Sequence, residues 1–177
     1  MMTKYCAFLR GVNVNGTSMK MVEVCEVFSK AGMSNVTSVL ASGNIIFQSD
    51  KNASDLKVIL EKAMSEHFNY EAFLFLKTAE EISEIIIKNP FSKNENLHVY
   101  SFVGIDKIEN VLLEEFEKSN KAEFEEAKII NDIFYWQVPK GNTLDSTFGK
   151  VLGKKILKDK MTSRNINTFE KIVKKMI

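Results

Sequence analysis

The sequence has little with which to build a disulfide-stabilised or membrane-spanning protein. Its 177 residues include only two cysteines, Cys6 and Cys25, and no apolar run approaches the roughly 18 residues that a membrane span needs. The first five residues also lack the apolar stretch of a signal peptide. We therefore expect a cytoplasmic protein, not associated with a membrane, whose cysteines are unpaired thiols buried in the core.

Residues typical of metal centres and nucleotide-binding loops are also scarce. His67 and His98 are isolated, with no Cys or second His at ligand spacing, and neither forms a visible triad with a serine. Gly149-Lys150 lacks the preceding glycine of a phosphate loop, and Val151 replaces its Ser or Thr. The sequence thus predicts no metal and no cofactor. No general base stands out, so whether a reaction follows binding stays open.

Charge is nearly balanced, with a formal net charge of +1, but it is unevenly distributed. Residues 140–177 contain ten Lys and Arg against three Asp and Glu, a net of +7, whereas residues 1–139 contain fourteen against twenty, a net of −6. A basic segment of this kind can bind phosphates. It can equally dock on the acidic remainder of the chain or form solvated helix surface.

What the sequence does contain is enough apolar residues, 45% of the total, for a packed core. Hydrophobic periodicity and turn residues in the first half predict the order β-α-β-β-α-β. The predicted elements are a strand over Lys4–Arg10, a helix over about Met19–Ala31, strands over Val36–Ala41 and Ile45–Gln48, a helix from Asn52–Ser54 to before Asn69, and a strand over Ala72–Leu76.

The second half repeats the order β-α-β-β-α after a helix that Thr78 and Glu81 open as a capping box. Its predicted elements are a strand over Leu97–Val103, a helix capped by Asp106 and Glu109, a hairpin of Glu123–Ile130 and Ile133–Val138, a helix marked by Leu144 to Ile156, and a helix over about Arg164–Met176. Only Lys160–Thr162 could supply a closing strand.

This order predicts an α+β protein made of two ferredoxin-like halves, each with helices on an antiparallel sheet. The first half would span residues 1–77 and the second, with the C-terminal helix, residues 97–177. Residues 78–96 would form a linking helix and loop.

Three stretches carry a resemblance to a known family: Leu9-Arg10-Gly11-Val12-Asn13-Val14, Ala41-Ser42-Gly43-Asn44-Ile45-Ile46-Phe47, and Thr162-Ser163-Arg164-Asn165-Ile166-Asn167-Thr168. Their order and spacing resemble the bacterial domain-of-unknown-function family numbered 1697, over essentially the whole chain. The resemblance implies two ferredoxin-like halves, in agreement with the element order. It implies no established reaction, cofactor or catalytic residue.

Four polar residues are expected at one rim of the first sheet. In a β-α-β-β-α-β unit, the loop after the first strand and the hairpin between the second and third strands lie at the same end of the sheet. Arg10, Asn13, Ser42 and Asn44 should therefore cluster beside the first helix N-terminus, where free N–H groups and an arginine fork suit an anion. In the alternative structural interpretation, these residues stabilise turns and Arg10 pairs with a carboxylate.

Arg164 and Asn165 form a second candidate group. Thr162 or Ser163 is a plausible N-cap, which would put both residues in the first turn of the last helix. The positive charge of an arginine in the first turn is unfavourable beside the positive end of the helix dipole. We therefore expect Arg164 to have a role other than stabilising the helix. Structural pairing with a loop carbonyl or carboxylate is the alternative to ligand binding.

The leading hypothesis is a protein that binds a small anionic ligand, a nucleotide or phosphorylated metabolite, at this rim, with Arg164 and Asn165 joining from the other half. One alternative is a nucleic-acid-binding module that uses the basic C-terminal segment. The acidic balance of residues 1–139 and the absence of a basic-glycine-aromatic signature disfavour it. Another alternative is a protein-interaction scaffold without a ligand. The oligomeric state is not indicated.

Overall fold

A computed structural model describes residues 1–12 and 18–177 of the chain. Its contacts divide these residues into two compact units: Met1–Ile82 with Lys171–Ile177, and Ser83–Glu170. The elements along the chain are β1 (Thr3–Arg10), α1 (Met21–Lys30), β2 (Ser34–Val39), β3 (Asn44–Ser49), α2 (Ala53–Phe68), β4 (Phe73–Thr78), α3 (Ala79–Ile87), β5 (Leu97–Gly104), α4 (Ile108–Lys118), β6 (Glu126–Ile130), β7 (Ile133–Pro139), α5 (Thr147–Leu152), β8 (Met161–Asn165) and α6 (Ile166–Met176).

The strands of each unit form a four-stranded sheet in which neighbours run antiparallel. The first sheet has the order β2-β3-β1-β4 and the second the order β6-β7-β5-β8. In both sheets the first and third strands of the unit are therefore central neighbours, as a ferredoxin-like half requires. The predicted fold class, α+β with two ferredoxin-like halves, is confirmed.

The core of the first unit follows from the alternation of side chains along β1. Tyr5, Ala7 and Leu9 point to one face of the sheet, where they join a cluster with apolar residues of α1 and α2. From the helices, this cluster takes Val24, Val27, Phe28, Leu56, Leu60 and Met64. The helical spacing of those residues is why the sequence pattern located both helices correctly.

The two cysteines differ in burial, and one prediction is corrected. Both are free thiols, and Cys6 is fully buried on β1 as expected. Cys25 is only partly buried: it packs against the edge of the core cluster and also lines a shallow groove with Val22 and Ser38. Burial nevertheless raises the pKa of the Cys25 thiol, which keeps it protonated at neutral pH.

The core of the second unit is centred on one phenylalanine of α5. The Phe148 ring lies 5.1 Å from Trp136, 5.3 Å from Phe116 and 5.8 Å from Phe134, measured between centroids. Both faces of β7 are buried, because Tyr135 points away from this cluster and is also fully buried.

Capping explains which predicted helix ends are right. The capping box at α3 is confirmed: Glu81 N–H donates to Thr78 Oγ1 at 3.3 Å, and Thr78 N–H donates to Glu81 Oε2 at 2.8 Å. The box of Asp106 and Glu109 is wrong. Lys107, with φ of +59°, precedes α4, and Glu109 instead accepts from the Asn110 amide at 3.0 Å.

Two predicted helices in the second unit need correction. The helix marked by Leu144 to Ile156 is only Thr147–Leu152, and those two marker residues are 81% and 66% exposed. Ser146 Oγ caps its start by accepting from Gly149 N–H at 2.9 Å. The last helix begins at Ile166 rather than Arg164, because Met161–Asn165 form the closing strand β8.

Candidate functional site

Arg10 and the β2–β3 turn lie at the same end of the first sheet. β1 and β3 are antiparallel neighbours, and Phe8 lies opposite Asn44. Leu9 N–H donates to Gly43 O at 2.8 Å, which ties the end of β1 to the turn. Arg10, Ser42 and Asn44 therefore come together, as the strand order requires. Asn13 lies outside the described residues.

Gly43 lets the turn approach the chain that follows β1. Its φ is +83°, and an added Cβ would lie 3.0 Å from Leu9 Cβ and 3.1 Å from Val12 Cγ1. A larger residue would therefore be strained by the backbone conformation and by contact. Val12 is buried in this contact, so the glycine holds the two loops of the rim together.

Asn44 has a structural role at this rim. It is fully buried, and its side-chain Nδ2 donates to Val39 O at 2.8 Å and to Ser42 Oγ at 2.9 Å. These bonds close the hairpin and orient the exposed Ser42 hydroxyl. The structural interpretation is therefore the better one for Asn44, while Arg10 is partly exposed and Ser42 is exposed.

The N-terminus of α1 is linked to the same rim. Met19 N–H donates to Val12 O at 3.2 Å, so the chain returns to the rim two residues before α1 begins at Met21. Lys20 precedes the helix, and within residues 1–12 and 18–177 no side chain caps this helix end. The first-turn N–H groups of α1 therefore contribute a partial positive charge near Gly43 and Val12.

Arg164 lies on a strand and not in a helix, which corrects the prediction. It pairs with Ser101 across β5 and β8 and is 8% exposed. Its guanidinium donates to Thr162 Oγ1 at 2.9 Å and to Ser163 O at 2.8 Å. These contacts hold a buried arginine against its own strand, which favours the structural interpretation for this residue.

Asn165 ends β8 and connects α6 to β5. Its side-chain Oδ1 accepts from the Asn167 N–H at 3.0 Å, which caps α6. Its Nδ2 lies 3.0 Å from His98 Nδ1 on β5. The register explains the second contact, because Asn165 lies opposite Tyr100, and His98 is two residues away on the same face of the strand.

This pair lies in the wall of a cleft in the second unit with a volume of about 540 Å³. The cleft also contains two lysines, two glutamates and a set of apolar side chains. Its lining includes Phe91, Lys93, Glu95, Leu97, His98, Lys140, Asn165, Ile166, Asn167 and Glu170. Burial, followed by the charge of Lys140, lowers the pKa of His98.

Sequence reasoning missed the cleft because its residues are brought together only by the sheet. His98 and Asn165 are 67 positions apart, and neither matches a motif by itself. Within the described residues, His, Cys, Asp and Glu side chains form no group of three that could hold a metal ion. Among those residues, no helix has the length and apolarity to cross a membrane.

Comparisons with known proteins agree with the fold. The family model described as a protein of unknown function (DUF1697) matches residues 2–135, so the chain belongs to this family and the predicted resemblance is confirmed. A solved structure of the conserved bacterial protein SP0830 from Streptococcus pneumoniae is similar over 100% of both chains, with a TM-score of 0.76 and 24% identity. The comparison with curated proteins gave no match.

Proposed function

We propose that this protein binds a small anionic ligand, a nucleotide or phosphorylated metabolite, at the rim of the first sheet. The observation that carries the proposal is that Arg10 ends β1 beside the β2–β3 turn, at the end of the sheet from which the chain leads through Val12 and Met19 into α1. Helix N–H groups and a guanidinium both attract phosphate oxygens.

The described residues of the rim have different parts in this proposal. Arg10 supplies the planar fork that bonds two phosphate oxygens at once. Ser42 supplies a hydroxyl at an exposed position, and the buried Asn44 orients that hydroxyl by donating a hydrogen bond to it. Arg164 and Asn165 are left out, because Arg164 donates to its own strand and Asn165 bonds His98.

The contacts made by the basic C-terminal segment argue against the nucleic-acid alternative. Two lysines of the basic segment are already engaged within the protein: Lys154 pairs with Glu115 at 3.4 Å, and Lys175 donates to Ser38 O at 2.9 Å. A polyanion would have to displace these contacts. An interaction scaffold without a ligand remains the alternative if no small anion binds.

Thermal unfolding against a panel of nucleotides and phosphorylated metabolites tests the proposal. A ligand at one hundred times its Kd adds about 2.7 kcal/mol to the free energy of unfolding. In a chain of this size we expect Tm to rise by about 5–10 °C.

Arg10→Lys is the informative variant, because it keeps the charge and removes the fork. We expect it to reduce the ligand-induced rise in Tm, whereas Lys62→Gln on the exposed side of α2 leaves that rise unchanged. The proposal fails if no compound in the panel raises Tm, or if Arg10→Lys and Arg10→Ala both keep the full effect.

A further inference from the structure

We propose that the cleft of the second unit is a second binding site, selective for a small zwitterion of the amino-acid type, with His98 and Lys140 holding its carboxylate. The site is independent of the rim, and it uses residues that are assembled from three neighbouring strands. β5 lies between β7 and β8, so His98 has Lys140 after the end of β7 on one side and Asn165 on the other.

The hydrogen bonds of Asn165 determine the protonation state of His98. A backbone N–H can only donate, so the Asn165 atom that meets the Asn167 N–H must be the amide oxygen. The amide nitrogen therefore faces His98 and donates to Nδ1. Nδ1 can accept only if it carries no proton, which places the proton of the neutral ring on Nε2.

Neutral His98 can donate a hydrogen bond from Nε2, and its surroundings oppose the uptake of a second proton. Protonation of Nδ1 would set an N–H group against the Asn165 amide hydrogens and break their bond. Burial and Lys140 both oppose that protonation by lowering the pKa of His98. Within the part of the chain that the structure describes, Nε2 has no hydrogen-bond partner, so its N–H group serves the cleft.

The charged groups around His98 select the ligand. Lys93 and Lys140 carry positive charge, and Glu95 and Glu170 carry negative charge, so the lining has no net charge. The α6 N-terminus adds little because Asn165 already caps it. A polyphosphate would meet two carboxylates, whereas an amino acid offers its carboxylate to His98 and Lys140 and its ammonium group to a glutamate.

The remaining lining suits an apolar side chain. Phe91, Leu97 and Ile166 contribute apolar surface, and a volume of about 540 Å³ accommodates an amino acid or dipeptide. Lys140 is held in position because its backbone N–H donates to Asn96 O at 2.9 Å, directly before β5. The ligand class is therefore an apolar amino acid or a short apolar peptide.

Two-dimensional NMR of the full chain tests the proposal, because long-range ¹H–¹⁵N correlations identify which ring nitrogen of His98 is protonated. We expect the Nε2–H tautomer at pH 7. Phenylalanine should shift the Nε2 resonance on titration, whereas phenylalaninamide, which lacks the carboxylate, and inorganic phosphate should bind at least about ten-fold more weakly.

Asn165→Asp is a matched variant, since aspartate still caps α6 but replaces the amide donor by a carboxylate. We expect Nδ1 to become protonated and the affinity for phenylalanine to fall at least about ten-fold, with Tm nearly unchanged. Lys62→Gln and Arg10→Lys should leave phenylalanine binding intact, so failure here is distinguishable from failure at the rim.

Four results would overturn the proposal. They are an Nδ1–H or doubly protonated His98 in the native protein at pH 7, equal binding of phenylalanine and its amide, a stronger response of His98 to phosphate than to phenylalanine, and no response to any of these probes.

Discussion

Two tyrosine hydroxyls, both removed from solvent, differ in their hydrogen bonding. Tyr135 Oη donates to Ile85 O at 2.7 Å. Tyr70 Oη is also buried but has no partner among the described residues. Burial, followed by the charge of Glu61, raises the pKa of Tyr70 to about 12, in line with a hydroxyl that would be costly to ionise.

These two residues make a matched pair for measuring what an unsatisfied hydroxyl costs. We expect Tyr70→Phe to increase the free energy of unfolding by about 1 kcal/mol, because it removes a buried polar atom that has no partner. Tyr135→Phe should decrease it by about 1 kcal/mol, because the Ile85 carbonyl loses its donor. Urea denaturation of both variants measures the difference, and a Tyr70→Phe protein that is less stable than the parent would contradict this.

At the scale of the element, the two glycines of the short helix α5 and its end differ in whether a larger residue would fit. Gly149 lies in α5 with its α-carbon against the preceding loop, where an added Cβ would be 1.8 Å from Thr143 O. Gly153 ends the helix with φ of −81°, and the nearest atom to an added Cβ, Lys150 O, is 3.5 Å away. Space therefore restricts the first position and not the second.

Alanine at these two positions should have effects of opposite sign. Gly149→Ala should lower the free energy of unfolding by about 1–3 kcal/mol, because the loop carrying Thr143 must move. Gly153→Ala should raise it by about 0.4–1 kcal/mol, because it restricts the unfolded chain at no steric cost. Chemical denaturation checks both, and equal stabilities of the two variants would show that the Thr143 loop yields freely.

The closing strand β8 shows where local sequence patterns stop being informative. Thr162, Ser163 and Asn165 are residue types that begin helices, and an amphipathic helix does follow at Ile166. The segment is nevertheless a strand, because it pairs with Tyr100–Gly104 of β5. Local propensity therefore predicts a helix at Arg164, whereas the non-local pairing with β5 makes this residue part of the sheet.

The two candidate sites also differ in how far local sequence patterns could predict them. The rim depends on strand order, which follows from the β-α-β-β-α-β pattern, so Arg10, Ser42 and Asn44 could be placed together from the sequence. The burial of Asn44 could not, because it depends on the turn geometry around Val39. The cleft depends on the register between β5 and β8, which places His98 beside Asn165 and which no local motif encodes.

At the scale of the molecule, the chain is one fold pattern used twice, with a candidate site on each copy. The units share a strand order but not their site residues: the rim combines Arg10 with the turn around Gly43, and the cleft combines a histidine with charges of both signs. A shared fold therefore does not require a shared ligand, since function lies in sites rather than in folds.

The central claim, that a small anion binds the rim, is tested most directly by mapping a nucleotide onto the backbone. Adenosine monophosphate titrated into ¹⁵N-labelled protein should shift the amide resonances of Leu9 to Val12 and of Leu40 to Asn44, and Arg10→Lys should weaken that response. A response concentrated instead on the basic stretches around Lys154–Lys158 and Lys171–Lys175, or no response at all, would contradict the claim.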